Sequence, residues 1–600
     1  MKEIVTRLES LRTLMKSLNL WAYIVPSSDP HASEYIAKHW KEMKWLSGFR
    51  GESGTLVVTS TEAYLWTDSR FYLQAEKELE GSTIGLMRAS DVDCLTINQW
   101  LSKNKPNGNC TIGINPKMYT YVDFQALKTE LQKCEIAVHS VDLIRPLWNN
   151  RPEIPTTQLY EYAEKYAGES ATSKMQRVRD VMSEEKADSY VISALDEIAW
   201  LLNIRAADVE CNPLFISYLL ITPTQCILFA DSEKITNKDA QNYLAKIGVT
   251  VQPYESIYEF LGTLKGRVMF DGTKLNEALF ESISSQAQYI NVPSPIQIMK
   301  CMKNEVELAG EKQAMIYDAV ALTRFFKWLD EELPHNNTLT EWDLMEKLYA
   351  FRATQPSFVM ESFGTIAGFA ANGAIVHYAA KKDDCATIQL NNVLLLDSGG
   401  QYLEGTTDIT RTVWLGDEKQ IPANVKHDFT LVLKGHIALA RAKFPKGTRG
   451  NQLDVLARQF LWSEGILYGH GTGHGVGHFL GCHEGPQGFK TDNNPAPLRL
   501  GNVCSDEPGV YRTGEYGIRT ENLIVVVPAK NLSPRTTGEE YYEFETITLC
   551  FYDTRMIDKS MLTTAEIEWL NNYHSILYKT IAPLLSADEK QYLETKCQQI

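Results

Sequence analysis

The sequence predicts a multidomain chain of α/β and α+β class: two similar α/β domains followed by a third, mixed domain that carries the chemistry. Three observations lead there. The chain has 600 residues, too many for one ordinary core and enough for roughly three to four domains at ~150–200 residues each. One stretch of the first half is echoed about 160 residues later, nearly motif for motif. The acidic strand ends and the glycine-rich histidine segment are all confined to the second half, between Asp397 and Glu521.

The first α/β domain is expected over residues 1–150. It opens with a helical pattern, then Trp21-Ala-Tyr-Ile-Val-Pro26, Leu56-Val-Val-Thr59 and Tyr64-Leu-Trp-Thr-Asp68 read as short buried strands. Trp148-Asn-Asn-Arg-Pro-Glu-Ile-Pro155 reads as a linker. The second domain, expected over 156–295, repeats the first. Trp45-Leu-Ser-Gly-Phe-Arg50 returns as Trp200-Leu-Leu-Asn-Ile-Arg205, and Thr59…Asp68 returns as Thr222…Asp231, each pair nine apart. Neither copy carries a ligand constellation, so both are expected to shape and cover the site rather than to form it.

A proline-bearing join, Asn291-Val-Pro-Ser-Pro-Ile296, leads into the third domain, expected over 300–600. A long helix follows, with Leu308, Met315, Ala319, Leu322, Phe326 and Leu329 on one face. Asn372-Gly-Ala-Ile-Val-His377-Tyr378 is read as a short strand ending in a histidine. From about residue 555 the pattern is helical again, and Thr563-Thr-Ala-Glu566 fits a capping box ahead of Trp569, Leu570, Tyr573 and Leu577.

The candidate chemistry lies in four pieces. Val393-Leu-Leu-Leu-Asp397-Ser-Gly-Gly400 and the run through Asp408-Ile-Thr-Arg-Thr form a fold-back that sets Asp397 and Asp408 side by side. His470-Gly-Thr-Gly-His474-Gly-Val-Gly-His478-Phe-Leu-Gly-Cys-His483-Glu484-Gly-Pro is too glycine-rich for a helix. Read as extended chain, it puts His470, His474 and His478 on one face, and spacing alone does not choose among them. Asp506-Glu507-Pro-Gly-Val-Tyr511 and Ile518-Arg519-Thr-Glu521-Asn complete the set. Converging carboxylates would repel strongly in a pocket, and two divalent cations remove that problem. Oxygen donors with one imidazole suit manganese, magnesium or cobalt better than a thiolate-seeking ion. No HExxH occurs, which excludes a zincin.

These motifs resemble the dinuclear metallopeptidases of the pita-bread fold. Over nearly its whole length, from VPSSDPHASEY and WTDSRFYLQA to WLNNYH, the chain resembles the large three-domain Xaa-Pro aminopeptidases (aminopeptidase P). The resemblance implies two creatinase-like N-terminal domains before a pita-bread domain. It also implies hydrolysis of the first peptide bond of peptides with proline second. In that scheme Asp408 and Glu521 bridge two ions, most expectedly Mn2+ with Co2+ or Zn2+ as substitutes. Asp397 binds one ion and His474 with Glu507 the other. A water bridging the metals is the nucleophile, with Glu507 taking its proton. His377 (at the NGAxxHY position), His470 and His483 face substrate, His377 and His483 stabilising the oxyanion, while Arg519 and Tyr511 stand behind them. His478 is read as structural. Cys504-Ser505 before DEPG and Thr520 in IRTEN depart from common usage beside the ligands. Pairing of two subunits through the tail, a homodimer, is likewise implied.

Prolidases use the same ligands on dipeptides but lack the duplicated N-terminal pair, and methionine aminopeptidases lack the long first half. Non-catalytic binding modules of this fold have lost ligands that stand here. A net charge of -16 and a pI near 5.4 argue against nucleic acid as partner. Eleven cysteines without a CxxC pair suit a reducing compartment. With no signal-peptide pattern and no apolar run near ~20 residues, a cytoplasmic protein without membrane partner is expected.

Overall fold

The computed structural model describes residues 2–532 and 538–600. It divides into two compact units: residues 1–164 with 169–296, and residues 165–168 with 297–600. In the first unit the sequence repeat is a repeat of topology. Strands β1 (Ala22–Pro26), β2 (Thr55–Thr59), β3 (Ala63–Thr67), β4 (Gly85–Arg88), β5 (Cys110–Ile114) and β6 (Ile136–Ser140) form one sheet in the order β4-β3-β2-β1-β5-β6. Strands β7 (Ser189–Ile192), β8 (Tyr218–Ile221), β9 (Cys226–Phe229), β10 (Val249–Gln252), β11 (Gly266–Phe270) and β12 (Ala287–Asn291) form a second sheet in the order β10-β9-β8-β7-β11-β12. Strand for strand the orders coincide, and so do the directions. The β1–β2 and β2–β3 pairs are antiparallel and the β1–β5 pair is parallel, as are β7–β8, β8–β9 and β7–β11.

The echoed threonines and aspartates have matching structural duties. Thr59 and Thr222 each turn the chain between two antiparallel strands, their hydroxyls accepting from the amides of Glu62 and Gln225. Asp68 and Asp231 each accept from the amide two residues on, Arg70 and Glu233. Continuous apolar strands such as Leu56-Val57-Val58 and Tyr218-Leu-Leu-Ile221 are buried throughout, as strands covered on both faces must be.

The second unit starts with the helix Glu305–Glu332, whose cap Asn304 and Glu307 form a capping box. Of the apolar face read from sequence, Met315, Ala319, Leu322, Phe326 and Leu329 are 3% exposed or less and Leu308 is half-buried; burial of each of the larger side chains contributes roughly 1.5–3 kcal/mol. Its strands are β13 (Phe358–Glu361), β14 (Ile366–Phe369), β15 (Asn392–Ser398), β16 (Gly400–Tyr402), β17 (Gly405–Thr406) and β18 (Ile409–Leu415), then β19 (Lys443–Pro445), β20 (Gly473–Gly475), β21 (Glu484–Phe489), β22 (Val503–Asp506), β23 (Gly509–Arg512), β24 (Tyr516–Arg519), β25 (Asn522–Pro528) and β26 (Tyr541–Thr546). They build sheets ordered β13-β16-β17, β14-β15-β18 and β19-β26-β25-β22-β20-β21, with β23–β24 a hairpin. The helix Thr564–Ile581 has the capping box expected at Thr563 and Glu566. Its apolar face, Leu570, Tyr573, Leu577 and Ile581, packs into the unit's own clusters.

Two local expectations need correction. Gly399-Gly400 is not the turn of a simple hairpin. Gly400 starts β16, and the chain makes an excursion through β16 and β17 before returning as β18. Room decides this: a Cβ at Gly399 would stand 2.0 Å from the Thr407 carbonyl. The NGAIVH stretch is not a strand either. Residues 370–374 form a 3-10 turn, with His377 in the loop beyond. Buried Glu341 gathers the amides of Phe369 and Ala386, the Asn372 side chain and the Tyr378 hydroxyl, which folds the segment into a loop.

Behind β15, Arg352 grips Asp318 through two bonds of 2.7 and 3.0 Å and donates to Ser398 beside Asp397. Both partners are buried. Replacing Arg352 by Leu strands the Asp318 charge, so urea unfolding is expected to show a loss of about 3–5 kcal/mol.

Candidate metal centre

Each ligand candidate is carried by a strand or by the residues at its end. Strands β15 and β18 pair antiparallel with Asp397 opposite Thr410, so Asp397 and Asp408 emerge at one end of the pair. His474 is the middle residue of β20, Glu507 follows β22, and Glu521 sits between β24 and β25. One donor atom each of Asp408, His474 and Glu521 lies within 4.8 Å of the others. His474 Nε2 stands 3.3 Å from Asp408 and 3.8 Å from Glu507.

The glycines around His474 are required by distance. A Cβ on Gly473 would lie 2.0 Å from the Ser505 carbonyl, and one on Gly475 2.3 Å from the Glu484 carbonyl. Only glycine lets β20 approach both neighbours closely enough to bring its imidazole to the carboxylates. Ser505 then fixes the register, its Oγ accepting from the His474 amide at 3.0 Å.

In four of the five candidates, His474, Asp397, Glu521 and Asp408, one side-chain atom is tied by a hydrogen bond. His474 Nδ1 donates to the Gly475 carbonyl at 2.9 Å, which leaves Nε2 as the acceptor nitrogen. Asp397 Oδ2 takes Arg519 Nη2 at 2.6 Å, while its Oδ1 is buried without a partner. Glu521 Oε2 accepts from Thr410 Oγ1 at 2.9 Å. Asp408 Oδ2 accepts from the thiol of Cys482 at 3.1 Å.

The electrostatics follow from crowding. Burial pushes the Glu507 carboxyl up to about 7, with Asp408 and Asp397 adding repulsion and His474 and Arg519 opposing. Burial, then Asp408, Asp397 and Glu507, drive Glu521 far above the carboxylate range. Burial also raises Asp397 against the pull of Arg519. Asp408 alone falls, because bonds to His474 and Cys482 outweigh its burial. Divalent cations fit this donor set: an orphaned buried Asp397 oxygen, an imidazole presenting Nε2, and carboxyls that burial and repulsion hold protonated in the absence of positive charge.

The residues expected on the substrate side gather around the same spot. The His483 ring lies 4.1 Å from that of His474. Arg519 Nη1 donates to the Tyr511 hydroxyl at 2.7 Å, and that hydroxyl is 2.7 Å from His470 Nε2. Asp397, Arg519, Tyr511 and His470 are thereby one hydrogen-bonded chain. His377 is half-buried, one residue after Val376, whose carbonyl faces Arg519 Nη2 at 3.4 Å. The three evenly spaced histidines do not share a face. The strand ends at Gly475, and buried His478 bonds instead to Glu311 at 2.9 Å and the Tyr166 carbonyl at 3.1 Å.

Several contributors escaped the sequence reading. Thr410, Cys482 and Ser505 touch ligands directly, and Arg458 holds the His470 loop through the carbonyls of Tyr468 and His470. Glu484, next to His483, is buried between Lys300 and Lys303. A charged residue inside an apolar stretch was the available signal for the cations; nothing marked the threonine.

Four carboxylates and one imidazole gathered in this way suit divalent cations, and comparisons with known proteins give the family. Residues 309–528 match the profile of metallopeptidase family M24 and 540–600 that of the C-terminal region of peptidase M24. Residues 7–145 and 150–307 match two profiles of the creatinase/prolidase N-terminal domain. The chain is 38% identical to Xaa-Pro aminopeptidase 1 of Dictyostelium discoideum, over 98% of this chain and 95% of that one. It is also 38% identical to aminopeptidase P2 of Arabidopsis thaliana, over 98% and 87%. The structure of an X-prolyl aminopeptidase from Caenorhabditis elegans, described as a cytosolic enzyme with a di-nuclear active site, superposes over 100% of both chains with a TM-score of 0.94 at 33% identity. The chain belongs to metallopeptidase family M24, among its Xaa-Pro aminopeptidases. Among the described residues no helix is long and apolar enough to cross a membrane.

Two measurements check the electrostatic account. Where the folded form holds a proton on Glu507 up to about 7 against an ordinary 4.5, the folded state binds more protons than the unfolded one. The metal-free protein is therefore expected to lose stability as pH rises from about 4.5 to about 7, and added Mn2+ to reverse that loss. Asp408→Asn is expected to melt no lower than wild type when metal-free, and to lose the cation-induced rise in melting temperature and the bound metal measured by elemental analysis.

Proposed function

We propose that this protein is a cytoplasmic metalloaminopeptidase that releases the first residue of peptides whose second residue is proline. The reading rests on one observation above the rest: four carboxylates and a Nε2-presenting imidazole converge in a family whose relatives, along the full chain, are Xaa-Pro aminopeptidases. The catalytic part is assigned to residues 300–600, with the α/β domains at 1–150 and 156–295. Asp408 and Glu521 are assigned as shared ligands of two cations, Asp397 as ligand of one, and His474 and Glu507 as ligands of the other. Mn2+ is the ion best suited to these donors, with Co2+ or Zn2+ as substitutes. Bound there, the cation pair supplies Lewis-acid polarisation of the scissile carbonyl and an activated water.

The chain's own residues do the rest. Glu507, 3.8 Å from His474 Nε2, is placed to take the proton of the attacking water and pass it to the departing proline nitrogen. His483, packed on His474, and His377 donate to the oxygen that gains charge as the carbonyl becomes tetrahedral. The Arg519–Tyr511–His470 chain fixes Asp397 on one side and presents the His470 ring on the other. A free α-amine beside these acids accounts for cleavage at the first bond only, and the proline ring, lacking an N–H, suits a shaped pocket after it.

Longer substrates separate this reading from a dipeptidase. Arg-Pro-Pro is expected to be cut faster than Ala-Pro, and Ala-Ala-Ala hardly at all, in one chromatographic assay with Mn2+. Exclusive turnover of Ala-Pro would favour a prolidase. His483→Ala is expected to lower kcat by about 10²-fold or more, the scale of a lost oxyanion donor.

A homodimer is proposed as well. The tail's apolar helix face is used inside the chain, yet Ile576 and Leu584 remain 59% and 51% exposed. Light scattering at micromolar concentration is expected to give twice the 67.9 kDa chain mass; a monomer would sink this part.

A further inference from the structure

Strand β18 carries one residue that its surroundings do not predict. Arg411 lies among Ile409, Thr410, Thr412 and Val413, and it is 2% exposed. Its guanidinium is satisfied by uncharged acceptors on two parts of the unit. On the metal-site part, Nη1 donates to the carbonyls of Thr410 at 3.0 Å and Glu521 at 2.6 Å, and Nη2 to Asn522 Oδ1 at 2.8 Å. On the C-terminal part, Nε donates to the Phe551 carbonyl at 3.0 Å. Nη2 also donates to the Cys550 carbonyl at 2.8 Å and the Tyr573 hydroxyl at 3.0 Å. The guanidinium lies 4.4 Å over the ring of Tyr552. Tyr573, on the helix Thr564–Ile581, closes the knot, accepting from the Cys550 amide at 3.0 Å and bonding the Thr548 and Cys550 carbonyls at 2.9 Å.

The knot sits directly behind the shared ligands. Thr410, whose carbonyl Arg411 holds, gives its hydroxyl to Glu521 Oε2 and its carbonyl to the Glu521 amide at 3.1 Å. Asp408 is two residues before Thr410 on the same strand end. One planar cation therefore ties together the backbone of Glu521, the strand that carries Asp408, and the C-terminal helix. A carboxylate shared by two cations must keep both oxygens at a fixed spacing from its neighbour, and outer groups that orient ligands typically matter about 10–100-fold in metal affinity.

We propose that Arg411 and Tyr573 are positioning residues that set the spacing of Asp408 and Glu521, so that the C-terminal helix is a working part of the cation site. The proposal rests on the cation-site reading above, and the experiment separates the two. Mn2+ is titrated calorimetrically into metal-free wild type and Tyr573→Phe, with melting of each metal-free protein followed in parallel. Wild type is expected to bind two ions. Tyr573→Phe is expected to bind with an affinity lowered about 10-fold while its metal-free melting temperature stays close to wild type. Wild-type affinity in the variant, with or without a lower melting temperature, would overturn the proposal, whereas absence of binding in wild type would overturn the metal reading itself. Hydrogen exchange on the wild type needs no variant to fold. Mn2+ is expected to slow exchange at 548–552 and around Tyr573 together with β18 and β25; slowing of the strands alone would overturn the coupling.

Discussion

Like charges held close in a buried place are the constraint from which the rest of the second unit follows. Asp397, Asp408, Glu507 and Glu521 are brought together by strand register, and burial first, then repulsion among them, raises the carboxyls of all but Asp408. A chain left to itself would part them. What keeps them close is backbone: β15 against β18 for the two aspartates, β22 against β25 for the glutamates, and β20 inserted beside β22 through glycines that tolerate carbonyl contact. The donors are preorganised by sheet geometry and the charge is left for cations to neutralise. Such a site costs stability when empty and regains it when filled.

Preorganisation also shows in how several of the donors are half-tied. His474 spends Nδ1 on its own backbone, Asp397 spends one oxygen on Arg519, and Glu521 accepts a threonine hydroxyl. A ligand tied at both ends would be lost to the cation, and one tied at neither would rotate away. The threonine that holds Glu521 lies on the strand that carries Asp408. One element therefore positions both Asp408 and Glu521, and a shift of β18 would move them together.

Much of this was legible in the sequence, and the parts that were not share a cause. The α/β repeat was readable because a duplicated fold keeps its turn chemistry: Thr59 and Thr222 must cap the same bend, and Asp68 and Asp231 the same step beyond it. Motif resemblance singled out the candidate donors, since residues 397–521 carry them in a few compact pieces, and the fold brings Asp408, His474 and Glu521 together. The fate of the histidine run was not readable from spacing. The strand that carries His474 ends at Gly475, so the period-two alternation stops short of His478, which bonds to Glu311 instead. The loop at His377 was misread as strand because Glu341, more than thirty residues earlier, supplies the bonds that a neighbouring strand would otherwise provide. Long-range hydrogen bonds override local propensity, and one sequence does not display them.

The buried cations complete the argument. Arg352, Arg411, Arg458, Arg519, Lys300 and Lys303 are each 5% exposed or less, in a unit whose functional charge is negative. Buried ion pairs are weak evidence for stability, because desolvation offsets much of their attraction. Their distribution is more informative than their number. Arg519 alone bonds to a ligand carboxylate; Arg411 and Arg458 bond to backbone carbonyls of the segments that carry Glu521 and His470, Arg352 to Ser398 beside Asp397, and the two lysines to Glu484 beside His483. Had these side chains neutralised the acids directly, cations would have no charge to bind. Arg411 and Arg458 hold backbone, Arg352 and the lysines hold side chains next to the site, and only Asp397 among the four acids is bonded to one of these six cations. Fixed geometry and unspent charge are both needed for a site of this kind, and this arrangement supplies them from separate groups.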